Sequence, residues 1–143
     1  MAEPGCIFCA IVAGDSPASV VHRDDLVSAF MDIQPVTPGH LLVVPNEHHA
    51  ELRGLTDPVA DRLFAIARGL ARALPRSGLR ADGTNVLAAD GAAAGQEVFH
   101  AHLHVIPRYA DDGFVIDAAA WRGPPPDRKQ LDEWAARIRA AIE

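Results

Sequence analysis

The feature that most constrains this chain is the stretch "HAHLH", residues 100–104, in which three of the seven histidines alternate with Ala101 and Leu103. It lies inside "EVFHAHLHVIP" (97–107), a run rich in β-formers, and a period of two specifies an extended strand. On one strand His100, His102 and His104 share a face, each about 6.6–6.8 Å from the next. Ala101, Leu103 and Val105 then turn to the core. Three adjacent imidazoles are costly to bury without partners, so this face is built to bind or to react. At that spacing all three rings cannot converge on one tetrahedral ion, whose nitrogen ligands stand about 2.0–2.1 Å from it. Neighbouring pairs can. The other use divides the labour: one ring attacks while its neighbours orient or protonate. Imidazole suits this because it titrates near neutrality and works either as a nucleophile or as a donor.

The rest of the chain supplies a sheet for such a strand. Residues 18–22 ("ASVVH") and 25–32 ("DLVSAFMD") are expected as strands joined by a polar turn. "QPVTPGH" (34–40), with two prolines and a glycine, is a tight loop. "HLLVVP" (40–45) is continuously apolar, as for a strand buried on both faces. Then the period changes. Asp57 and Pro58 form a helix start, and Val59, Leu63, Ile66, Ala67, Leu70 and Leu74 follow at helical spacing up to Pro75. Residues 83–90 are expected as a strand, 91–96 ("GAAAGQ") as a glycine-rich loop, and 97–107 as the histidine strand. After "PPP" (124–126), Asp127 caps a final helix with Leu131, Trp134, Ile138 and Ile142 on one face. "CIFCAIVA" (6–13) is a short apolar helix or turn ending at Gly14. About five strands in antiparallel-friendly order, one long helix between the third and fourth, and a C-terminal helix make an α+β domain. The 143 residues are one domain's worth of chain.

Charge and composition narrow the partners. A net charge of −6 argues against a broad nucleic-acid-binding face, while leaving room for a local phosphate site. The start of the chain lacks a basic segment followed by an apolar one, and no apolar run is long enough to cross a bilayer. A cytoplasmic protein without nucleic-acid or membrane partners is expected. In a reducing compartment the two cysteines, Cys6 and Cys9 in C-x-x-C spacing, are free for metal binding or thiol redox chemistry, or are simply buried apolar residues.

His100-Ala-His102-Leu-His104-Val105-Ile106 fits the pattern His-φ-His-φ-His-φ-φ, and in this the chain resembles the histidine triad (HIT) family. The flanking Gly95-Gln96 and Pro107-Arg108, the segment "CIFCAIVAGDSPASVV", the segment "FMDIQPVTPGHLLVVP" and the following helix are similar too. The similarity covers roughly residues 5–110, and the combined motifs are specific. It implies one HIT domain over residues 1–143, with the motifs in 5–110 and a tail and helix in 111–143. The zinc-containing bacterial-type branch is the nearest match. The fold it implies is an antiparallel sheet with one long central helix, paired as a homodimer.

The resemblance also implies roles. His102 attacks the α-phosphorus of a purine nucleotide conjugate, such as an AMP or GMP phosphoramidate or a dinucleoside polyphosphate, through a covalent nucleotidyl-histidine. His104 assists the leaving group, and His40 is the fourth active-site histidine. Asp32 accepts from the ribose hydroxyls. Ile7, Phe8, Phe30 and Ile33 form the base pocket, and the loop at Gly95 and Gln96 receives the phosphate. Cys6, Cys9, His48 and His100 hold a structural zinc, with His49 the rival of His48. Two positions depart from the family: Ala89 replaces Asn or Gln near the phosphate, and Glu97 replaces a hydroxyl donor. Strand alternation would turn Glu97 away from the histidine face, and Asn85 or a backbone amide would have to make up for Ala89. The other function open to such a chain is a nucleotide-binding module with little catalysis, acting through a protein partner. A hydrolase using a metal on the triad itself is the third. In the tail, Trp121 and Trp134 are candidates for setting specificity, with Trp134 expected to pack.

Overall fold

The computed structural model describes residues 2–143. The chain divides into two compact units, one ending at Asp112 and the other spanning Gly113–Glu143. In the first unit, α1 is Ile7–Ala13, α2 is Asp57–Ala73, and five strands form one antiparallel sheet: β1 (Val20–Arg23), β2 (Val27–Met31), β3 (Leu41–Pro45), β4 (Gly83–Leu87) and β5 (Leu103–Arg108). The order across the sheet is β1-β2-β3-β5-β4.

Alternation sorts the central strands between two apolar layers. Val27 and Ala29 of β2 join Leu41 and Val43 of β3 and Val105 of β5 on one face, where α2 covers them with Val59, Leu63 and Ala67. Phe30, Leu42 and Val44 point to the opposite face and pack on Phe8 and Ile11 of α1. A strand buried on both faces reads as an unbroken apolar run, and all five residues of β3 are buried. Each fully buried aliphatic side chain contributes about 1.5–3 kcal/mol relative to exposure.

Helix ends follow their sequence signals. Gly14 closes α1 at φ 83 with its N–H on Ala10 and Ile11 carbonyls, a left-handed cap that glycine adopts without strain. Thr56, rather than the expected Asp57, is the N-cap of α2; Asp57 is its first helical residue, with Pro58 next. Pro75 falls inside a single 3-10 turn, Leu74–Arg76, that follows α2. In the second unit Asp117 caps α3 (Ala118–Trp121) and Asp127 caps α4 (Arg128–Ala141), each through its carboxylate. Trp121 is 70% and Trp134 46% exposed.

A larger correction concerns β5. The histidine strand does not begin at residue 97: residues 98–100 are bends, and β5 starts only at Leu103. The ladder between β3 and β5 runs Leu41↔Val105, Leu42↔His104, Val43↔Leu103 and stops. Its next rungs are taken by other partners. Pro45 has no N–H to give, its carbonyl is bound by His100 Nε2 at 2.8 Å, and Ala101 N–H goes to His49 O at 2.7 Å. Glu97 is exposed and lies outside any strand, so alternation does not set its direction.

Candidate functional site

Leaving the ladder early lets the histidines part company. His100 turns toward α1, while His102 and His104 stay together with ring centroids 5.0 Å apart. Phe8, 6% exposed, sits between the two groups. Its ring meets His100 edge-on at 5.8 Å and His102 at 5.3 Å, geometry that aromatic pairs favour.

His100 is fully buried and joins Cys6, Cys9 and His48. The four donor atoms all lie within 4.8 Å of one another. His100 Nδ1 is 3.4 Å from Cys6 Sγ and 3.6 Å from Cys9 Sγ, and His48 Nδ1 is 3.4 Å from Cys9 Sγ. Around a tetrahedral ion of zinc's size, with sulfur about 2.3 Å and nitrogen about 2.0–2.1 Å from the metal, sulfur and nitrogen stand about 3.6 Å apart. The donor set therefore fits. Its surroundings fit as well: His100 Nε2–H donates to Pro45 O, which leaves a lone pair on Nδ1. Cys6 Sγ accepts from Cys9 N–H, and Cys9 Sγ from Glu3 N–H, each at 3.4 Å. Burial foremost, and then the nearby imidazoles, push His100 down to about 4, so it is neutral as a ligand must be. Burial raises the Cys6 thiol, a shift that a bound cation reverses. His49, the rival ligand, is outside the cluster; its Nε2 is buried without a hydrogen bond.

The other histidines are set by a chain of directed hydrogen bonds. Gly39 brings the 34–40 loop in close: at φ 100, an added Cβ would meet Leu79 Cδ1 at 3.0 Å and Pro107 Cγ at 3.2 Å. Thr37 Oγ1 donates to Pro107 O at 2.6 Å, fastening that loop to β5. The backbone N–H of Val36 donates to His40 Nδ1 at 3.0 Å. His40 must then carry its proton on Nε2, which lies 2.9 Å from His104 Nδ1. His104 accepts there and carries its own proton on Nε2. His102 Nδ1–H donates to His100 O at 2.7 Å, which leaves the Nε2 lone pair available. Burial first, then His102 and His40, push His104 down to about 4. Burial also lowers His40, against the pull of Asp32. At neutral pH both rings are uncharged, with fixed tautomers.

Asp32, His40 and His104 also lie close enough to share an ion, but their chemistry is different. Asp32 Oδ2 is 3.5 Å from His40 Nε2, and that nitrogen bears the hydrogen given to His104. A protonated nitrogen has no lone pair for a metal. Asp32 Oδ1 accepts from Gln34 N–H at 2.8 Å.

The remaining expected site residues are placed unevenly. Phe8 and Phe30 are buried in the second apolar layer, whereas Ile7 is 47% and Ile33 92% exposed. Gly95 closes a 3-10 turn, Ala92–Ala94, in a left-handed conformation. The Gln96 side chain is spent inside the protein: Oε1 accepts from Gly91 N–H, and Nε2 donates to Ala50 O and Val98 O. No amide donor is left over for a ligand. Asn85 Oδ1 is taken by Arg108 at 2.6 Å. Sequence reasoning missed the groups that fix the tautomers, namely Val36 N–H, Pro45 O and His100 O. They are backbone atoms, which no residue pattern marks.

Residues 13–111 match the family model described as HIT domain. The chain is 44% identical over 128 residues to "Protein hit" of Bacillus subtilis, covering 89% of this chain and 86% of that one. It is 34% identical over 107 residues to "Adenylylsulfatase HINT3" of Arabidopsis thaliana, covering 75% of this chain and 54% of that protein. Among solved structures, a Zn-bound histidine triad family protein from Mycobacterium smegmatis superposes with a TM-score of 0.72 at 39% identity, covering 96% of this chain and 98% of the other.

Proposed function

This chain belongs to the HIT family, and from that premise we propose that it is a nucleotidyl hydrolase or transferase acting at the α-phosphate of purine nucleotide conjugates. Its substrates are nucleoside phosphoramidates or dinucleoside polyphosphates. The observation that carries this reading is the tautomer of His102: with Nδ1–H held by His100 O, Nε2 presents a lone pair beside His104. In the first step Nε2 forms a bond to phosphorus, and the bond to the leaving group breaks with its electron pair. His104 Nε2–H faces the departing atom. The positive charge gained by His102 is met by the His100 carbonyl, already in place. Water then displaces His102 from phosphorus and releases the nucleoside monophosphate. Asp32 binds the ribose, Ile7 and Ile33 close over the base above Phe8 and Phe30, and the loop at Gly95 meets the phosphate with its backbone.

Cys6, Cys9, His48 and His100 hold a structural zinc, which when bound ties α1 to the approach of β5. A reducing cytoplasm keeps the two thiols available for it. A homodimer forms through the β4 edge and the exposed side of α2, where Phe64 is 61% exposed.

The test is release of AMP from adenosine 5′-phosphoramidate, with His102→Asn as control. Turnover lost in the variant by at least about a thousandfold supports the covalent route. A specific observation favours a second reading, a nucleotide-binding module with little catalysis: Ala89 has no side-chain donor for the phosphate, and the exposed Glu97 side chain carries none when ionised. AMP binding without any turnover would select it.

A further inference from the structure

Two segments that flank the cluster of Cys6, Cys9, His48 and His100 are bonded to each other. Residues 48–52 leave β3, and residues 90–101 lead to β5. Each carries one imidazole of the cluster, His48 and His100. Hydrogen bonds join the segments in sequence: Ala101 N–H to His49 O at 2.7 Å, Gln96 Nε2 to Ala50 O at 2.7 Å, and Leu52 N–H to Asp90 Oδ1 at 2.6 Å. Gln96 makes the middle bond and is 6% exposed. It also spans the loop before the histidines, accepting from Gly91 N–H at 2.7 Å and donating to Val98 O at 2.9 Å. Gln96 N–H returns to Gly91 O at 3.2 Å. A loop of glycine and alanine has no side chains to hold its shape, and Gly91 and Gly95 both sit at positive φ. The loop turns on itself through Ala94 N–H to Gly91 O and Gly95 N–H to Ala92 O, and the buried Gln96 amide is the side chain that ties this turn to Ala50 and Val98.

We propose that Gln96 is a positioning residue that couples the metal cluster to the phosphate loop, so that metal and nucleotide each tighten the hold on the other. The inference rests on the function proposed above. Metal on His48 and His100 draws the two segments together, which keeps Ala50 O where Gln96 needs it and His100 O where His102 needs it. Whichever ligand binds first bears the cost of ordering the shared segments, and the second meets them already ordered. Linkage makes the effect equal in both directions.

The experiment uses the full chain and two binding measurements. Zinc affinity is read by competition with a chromophoric chelator, with and without saturating AMP; AMP affinity is read with and without zinc. In the wild type AMP is expected to raise zinc affinity at least about fivefold, and zinc removal to weaken AMP by the same factor. Gln96→Glu keeps an acceptor for Gly91 but sets a carboxylate oxygen against the Ala50 and Val98 carbonyls. The variant is expected to keep one zinc while the coupling shrinks below about twofold. A Gln96 that touched phosphate directly would instead weaken AMP equally in zinc-loaded and zinc-free protein, and that result overturns the proposal. So does full coupling in Gln96→Glu. Wild-type AMP binding with unchanged zinc affinity overturns the coupling and leaves the proposed function standing. No AMP binding by the zinc-loaded wild type overturns both. If Gln96→Glu does not fold, Gln96→Met, which removes both amide donors at similar length, is read by the same two affinities and the same outcomes.

Discussion

Two corners of the molecule each bring histidine rings into contact, and they do opposite things with them. In the cluster of Cys6, Cys9, His48 and His100, His100 Nδ1 stands 3.4–3.6 Å from two sulfurs. At the other corner His40 Nε2 stands 2.9 Å from His104 Nδ1, one giving a hydrogen and the other accepting it. The difference lies at the far side of each ring. His100 gives its other nitrogen's hydrogen to a carbonyl, Pro45 O, so the near nitrogen is a bare lone pair. His40 receives a hydrogen from Val36 N–H, so its near nitrogen must be a donor. One backbone group per ring decides whether the near nitrogen offers a lone pair or a hydrogen.

The comparison breaks most visibly if the metal corner is opened. His48→Ala should lose bound zinc and lower the melting temperature by about 10 °C or more, whereas His49→Ala should retain one zinc per chain by elemental analysis. Zinc retained in His48→Ala would show that the two corners are not chemically distinct. Next in size, His40→Asn should lower kcat about ten- to a hundredfold with zinc content unchanged; steady-state kinetics beside metal analysis would separate the corners. A relay role fails if kcat holds.

Acid sharpens the contrast. Folded His104, at about 4, and His40, also lowered, bind fewer protons than the unfolded chain between that range and the ordinary value of about 6.5. Stability therefore falls as pH drops through this window and is insensitive to these rings above it. Melting curves at pH 7 and pH 4.5 should show a smaller drop for His104→Gln than for the wild type; equal drops would mean the ring is not held neutral. The smallest effect concerns the phosphate. Ala89→Asn, supplying one hydrogen bond of about 1 kcal/mol, should raise kcat/KM about fivefold. No change would show that position 89 lies out of reach of the phosphate.

Much of the fold was legible in the chain because its signals are local. The unbroken apolar run of β3, the helical spacing of α2, the Gly14 cap and the Asp127 cap each depend on neighbours within a few residues. The five strands and the family followed from such stretches. The histidine strand was read too long for the opposite reason. Residues 97–102 have strand composition, but Pro45 withholds an N–H and His49 claims Ala101, and both lie some fifty residues away. Gln96 was assigned to the phosphate because its position in the motif suggests a donor, while its partner Ala50 O is a backbone atom without a sequence signature.

The sequence by itself determined which chemical groups were available: four imidazoles beside a tight loop and a β-strand, and two thiols one helical turn apart. It determined the layers of the fold, because periodicity fixes which faces are apolar. Only the tertiary structure decided what each imidazole is. A histidine's tautomer is set by the hydrogen bond at its far nitrogen. Here those bonds come from Pro45 O, Val36 N–H and His100 O, main-chain groups that every residue type carries and that only folding brings into place.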